Sequence, residues 1–147
     1  MNADREIVLS RTFDAPRELV FEAWTTVEHL SQWFGPDGFT TTTYAMDFRP
    51  GGSWKYMMHG PDGTDYPNLI TYTEIVPPER IAFEHGDFDS VQARVTVTLE
   101  ENDGKTLFTQ KMVFDTKEAK DAVVAFGAIE LGNQTFARLG TYLESRK

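Results

Sequence analysis

Residues 115–144 constrain the fold more than any other stretch, because they carry the long amphipathic helix of a chain whose middle reads as strand. Thr116 is placed to cap a helix beginning Lys117-Glu118-Ala119, and no proline follows to stop it. After a break at Gly127, Ile129, Phe136, Leu139 and Leu143 recur close to a period of roughly 3.6 residues and share one face. Glu130, Gln134, Arg138 and Glu144 take the opposite, solvated face. An amphipathic helix must bury its stripe on something, and a sheet is the partner on offer. Gly127, Gly132 and Gly140 notch the helix. Such notches predict either close approach of the backbone to the sheet or unfilled space between the two.

Upstream, alternation predicts a strand at Glu6–Phe13 with Ile7, Leu9 and Phe13 on one face. Pro16 suits the first turn of a short helix, on which Leu19, Val20, Ala23 and Trp24 form a buried stripe. Thr25 and Glu28 have capping-box spacing for a second helix, Val27–Trp33, which Gly35-Pro36-Asp37-Gly38 breaks. Strands are then predicted at 39–48, Ser53–His59, 69–76, 81–85, 91–99 and 106–114. Turns lie at Pro50-Gly51-Gly52, Pro61-Asp62-Gly63, Pro77-Pro78 and Asn102-Asp103-Gly104. In 91–99, Val91, Ala93, Val95, Val97 and Leu99 are expected to face inward. The order β-α-α-β-β-β-β-β-β-α predicts an α+β fold in one domain over residues 1–147. Twist bends an antiparallel meander of this kind into a half-barrel, which the C-terminal helix closes on its concave side.

The formal net charge of −9 argues against nucleic acid and against an anionic membrane face as partners. With no cysteine, disulfides, thiolate catalysis and zinc–thiolate sites are excluded. Met1-Asn2-Ala3-Asp4 leads into the first strand without an apolar leader, and no apolar run approaches the ~18 residues of a membrane span. The expected location is therefore the cytoplasm. Eleven Phe, five Tyr and three Trp are a heavy aromatic load, more than a plain core requires.

Three segments carry a family resemblance: Arg11-Thr12-Phe13-Asp14-Ala15-Pro16, Leu19-Val20-Phe21-Glu22-Ala23-Trp24 and Trp33-Phe34-Gly35-Pro36. Asp47-Phe48-Arg49-Pro50-Gly51-Gly52-Ser53-Trp54 and Val76-Pro77-Pro78-Glu79-Arg80-Ile81 follow in the same order. Together they resemble the family named after the activator of a heat-shock chaperone ATPase, within the START-like helix-grip superfamily (SRPBCC). The resemblance implies a curved sheet of about seven strands wrapped on a long C-terminal helix. It also implies a ligand housed between the two. One departure is that many members carry a tryptophan after the glycine of the last helix, where this chain has Gly127-Ala128. A bulky wall of such a pocket is then missing.

His29, His59 and His85 show no metal-ligand spacing. Neither a nucleophile elbow, a Walker loop nor a dinucleotide fingerprint occurs, so no cofactor is expected. The aromatic set remains. Part of it must be core, and part is expected to line an apolar pocket with a few orienting polar groups. The expected lining is Trp33, Phe39, Trp54, Tyr56, Met58, Tyr72, Phe83, His85, Gln110 and Met112 from the body of the chain, with Ile129, Asn133 and Phe136 from the last helix. The leading reading is a soluble protein that binds a small apolar or aromatic ligand there. A second is a cofactor-independent enzyme of cyclase or hydrolase type, with His85 or a tyrosine as general acid–base. A third is a protein-interaction module resembling the co-chaperone domain, and a homodimer or chaperone contact is a further expectation.

Overall fold

The computed structural model describes residues 2–146. A single 3-10 turn at the start leads into β1 (Glu6–Phe13), followed by α1 (Arg17–Glu22) and α2 (Val27–Trp33). The meander comprises β2 (Thr40–Met46), β3 (Ser53–His59), β4 (Asp65–Val76), β5 (Arg80–Gly86), β6 (Val91–Asn102) and β7 (Lys105–Phe114). All seven strands form one antiparallel sheet in the order β1-β7-β6-β5-β4-β3-β2. The sheet is curved and open, and β1 closes the register against β7 from Glu6↔Val113 to Phe13↔Thr106.

The C-terminal stretch is two helices, α3 (Lys117–Phe126) and α4 (Ala128–Ser145). Thr116 caps α3, its side chain accepting from the Ala119 N–H at 3.0 Å. Gly127 ends it at φ 100°, a left-handed conformation that glycine reaches without steric cost. The cap of α2 is Thr26, whose hydroxyl accepts from the His29 N–H. Thr25, the expected cap, instead donates its hydroxyl to the Glu22 carbonyl at 2.7 Å.

Local departures from strict alternation have identifiable causes. β4 starts at Asp65 rather than at 69, and its first residues pair with β3 alone, since β5 joins only at Leu69↔Gly86. Pro67 is tolerated because it sits on that one-sided stretch. Val91 is 45% exposed, against the inward expectation, because a bulge shifts the register between His85↔Ala93 and Gly86↔Val91. Ala93, Val95, Val97 and Leu99 keep their inward face.

The core is aromatic. Trp24 stacks on Phe108 at 6.0 Å, and Phe108 meets Phe13 and Phe136. Phe34 packs edge-on against Trp54 and Tyr56, which stack on each other at 4.0 Å. The notches of α4 are occupied by β1. A Cβ at Gly132 would stand 2.6 Å from Leu9 Cδ1, and one at Gly140 would touch the Phe13 ring at 3.5 Å. At Gly132 glycine serves close approach, while at Gly140 a Cβ would reach only ordinary contact with the ring, and neither notch opens into a cavity.

Candidate functional site

The space lies elsewhere. α4 rests on β1 and α2, and α3 rests on β7. Between these helices and the inner face of the sheet from β3 to β7 a partly open cleft of about 270 Å³ remains. Met58, Tyr66, Asn68, His85 and Met112 form its sheet wall, and Val123, Phe126 and Leu131 its helical wall. Pro36 and Phe39 supply one rim. That rim is pinned to α4: Arg138 donates to the Gly35 and Pro36 carbonyls at 2.8 and 3.3 Å, and Gln134 accepts from the Asp37 N–H. The two side chains expected to be merely solvated therefore hold the entrance loop in place. Tyr66 bridges the mouth, its ring 6.0 Å from Phe39 and 5.9 Å from Phe126. Phe126 is 60% exposed.

Deeper in, a compartment of about 100 Å³ is bounded by Trp24, Phe34, Tyr56, Ile70, Phe83, Val95 and Gln110. His85 and Met112 belong to both walls and mark the boundary between cleft and compartment. Burial disfavours charge on the groups around this inner space. It pushes the Tyr56 hydroxyl upward, with a smaller contribution from the neighbouring Tyr72, which is itself raised by burial in the core behind the compartment. It pushes His85 down to about 4, so the imidazole is neutral at pH 7.

The tautomer follows from the neighbours. His85 Nε2 lies 2.8 Å from Asn68 Oδ1, and Asn68 Nδ2 donates to the Tyr66 carbonyl at 3.0 Å. That second bond decides which amide atom faces the ring. Nε2 therefore carries the proton and donates it to Asn68, leaving Nδ1 as the bare nitrogen. Trp24 Nε1 is buried with no hydrogen-bond partner among the described residues. The other two indoles are satisfied, Trp33 donating to the Ala23 carbonyl and Trp54 to Thr43 Oγ1.

The family model for activator of Hsp90 ATPase homolog 1-like proteins (AHSA1) matches residues 14–144. The chain belongs to this family. Among solved structures, the AHSA1-like chain is similar to a Mycobacterium smegmatis protein at 25% identity and TM-score 0.91, covering 100% of this chain and 96% of that one. It is also similar in fold to a Nitrosomonas europaea protein, with 22% identity, TM-score 0.90 and coverage of 99% and 98%. A third is an AHSA1-like protein from Aeromonas hydrophila, at 20% identity, TM-score 0.73 and coverage of 96% and 93%. No curated protein matches the chain.

Of the residues expected to line a pocket in this AHSA1-like chain, Phe39, Met58, His85 and Met112 meet at the cleft. Tyr56, Phe83 and Gln110 join His85 and Met112 around the inner compartment. Trp33, Trp54, Tyr72 and Phe136 are buried in the packed core instead, none more than 4% exposed. Ile129 and Asn133 are both exposed, Ile129 by 42%. The buried residues of α4 are Thr135, Phe136, Leu139 and Leu143, all at or beyond its second turn. Sequence reasoning missed Tyr66, Asn68, Val123, Phe126 and Leu131. A signal existed for Tyr66 and Asn68, which alternate with Pro67 ahead of the predicted strand. His29 is half-buried and held between Tyr142 and Glu22, at 2.7 and 3.3 Å. Among the described residues no three His, Cys, Asp or Glu side chains gather as a metal site, and no helix is long and apolar enough to cross a membrane.

Proposed function

We propose that this AHSA1-like domain binds a small apolar or aromatic molecule between the sheet and helices α3 and α4. The observation that carries the reading is the cleft of about 270 Å³, apolar apart from Asn68, His85, Gln92 and the Tyr66 hydroxyl, and sharing His85 and Met112 with the inner compartment. Apolar burial drives such binding at about 25 cal/mol per Å² before the cost of association. The aromatic mouth of Phe39, Tyr66 and Phe126 offers flat surface to an aromatic guest. A catalytic reading asks His85 to take a proton near neutral pH. With its pKa near 4 it is a weak base there, which favours binding over general-base chemistry. A binding role also accommodates the partly open interior better than an interaction module, which works with a filled one.

The neutral fluorophore N-phenyl-1-naphthylamine tests this directly. Its emission should rise and shift to the blue on mixing with the wild type. Met112→Trp fills the boundary between cleft and compartment, and should abolish that response while leaving the far-ultraviolet circular dichroism unchanged. A wild type that leaves the dye in water, or a folded Met112→Trp that takes it up equally, overturns the proposal.

A further inference from the structure

The imidazole of His85 stands where the cleft and the inner compartment meet, with one ring nitrogen held and the other free. Nε2 is fixed as a donor on Asn68 Oδ1 at 2.8 Å, which orients the ring. Nδ1 has no hydrogen-bond partner among the described residues. Nor is it shut away. Among those residues Trp24 Nε1 is the one side-chain nitrogen or oxygen both buried and unpaired, so Nδ1, also unpaired, presents surface. That surface opens inward. His85 is half-buried and shares the strand parity of Ile81 and Phe83, both in the core, so the spaces its ring reaches are the two it lines. As the bare nitrogen of a fixed tautomer, Nδ1 can accept a hydrogen bond and cannot donate one. The lowered pKa records the cost of a buried charge and leaves the lone pair intact.

Resting on the binding role proposed above, we infer that the ligand is a neutral phenol or alcohol whose hydroxyl donates a hydrogen bond to His85 Nδ1. The requirement is for a donor: a ketone, an ether or a plain hydrocarbon would displace water from Nδ1 and leave it unpaired, at a cost in affinity. The ligand is neutral because no charged side chain lines the cleft or the compartment, so neither an ammonium nor a carboxylate finds a counter-charge. A hydroxyl oxygen also accepts, and Tyr56 and Gln110 carry polar hydrogens in the same compartment. The hydrocarbon then extends past Met58 and Leu131 toward the aromatic mouth. This gives the site a polarity, with hydroxyl inward and hydrocarbon outward.

Three probes of similar shape separate this inference from the binding role itself. p-Cresol carries the hydroxyl, p-xylene replaces it with a methyl group, and p-methylanisole keeps the oxygen without its proton. In isotope-labelled wild type, the imidazole nitrogens of His85 report directly. With p-cresol bound, the Nδ1 resonance should lie upfield of its position with p-xylene or p-methylanisole bound, as a bare imidazole nitrogen does when it accepts a hydrogen bond. The comparison is between bound states, so a water on Nδ1 in the free protein does not enter it. The ring signals of His29 and His59, whose nitrogens already have protein partners, should stay nearly still. In His85→Phe, the cresol-to-xylene affinity ratio should fall about two- to tenfold, the worth of one neutral hydrogen bond. If His85→Phe does not fold, the wild-type imidazole signals decide alone. Binding of all three probes with one Nδ1 position, or an unchanged ratio in a folded His85→Phe, overturns the inference and leaves the binding role intact. So does binding of p-xylene without p-cresol. Binding of none of the three overturns both.

Discussion

His85 shows how one residue's surroundings set its chemistry. Its folded pKa is about 4, against 6.5 for the free side chain, because burial penalises the charged form. As pH falls through about 6.5, the unfolded chain takes up a proton that the folded chain refuses until about pH 4, so stability is lost across that window. Between about pH 7 and pH 4.5, wild type should lose about 2 kcal/mol more than His85→Gln in chemical denaturation. Equal losses in the two proteins contradict the buried, neutral imidazole. Trp24 is the second decisive residue. Trp24→Ala removes the ring that joins Phe108, Trp33 and Phe34, and should cost about 3–5 kcal/mol. A loss under 1 kcal/mol by denaturation, well below that of a buried ring, indicates that the indole contributes little to the packing.

Among the elements, α4 is defined by its close passage over β1. At Gly132, a leucine has nowhere to go but into Leu9, so Gly132→Leu should destabilise by about 1–3 kcal/mol. Gly132→Ala is a sharper comparison. Its methyl meets the mobile end of Leu9, and that strain is set against about 0.8–1.0 kcal/mol of helix propensity. The alanine variant should therefore lie near wild type in thermal denaturation and the leucine variant clearly below it. If the leucine variant is as stable as wild type, there is free space at this contact and the close approach is an illusion. The cleft depends on the opposite property of α3, which rests on β7 and leaves the inner face of β3 to β5 uncovered.

At the scale of the molecule, the sheet has one apolar face and needs a cover. Ile7, Leu9, Phe13, Phe108 and Val97 all lie on it, and Phe136, Leu139 and Leu143 of α4 supply the opposing surface. A chain ending at Ala125 leaves that face wet and should yield aggregated or molten material. Sharp, dispersed amide signals from the truncated chain contradict a fold that needs α4.

The local code was enough for most of the architecture. Period-two alternation and turn residues at Pro61-Asp62-Gly63 and Asn102-Asp103-Gly104 specify hairpins, because both act within a few residues of chain. The break at Gly127 was legible for the same reason: a left-handed residue ends a helix whatever surrounds it. Which apolar residues line a cavity was not legible. Trp54 and Met58 share a strand and a parity, yet Trp54 is packed under Phe34 while Met58 faces the cleft. Ile129 belongs to the predicted stripe and is exposed although Phe136, Leu139 and Leu143 of the same stripe are buried, because periodicity assigns a face but not how far along the helix the packed partner extends. The notches at Gly132 and Gly140 could be read either as space or as contact, and only the position of β1 decided for contact. Sequence by itself determined which elements form and which side of each is apolar, since those depend on neighbours along the chain. The tertiary structure alone decided where packing fails to close, because a cavity is a mismatch between distant surfaces and no single segment records it.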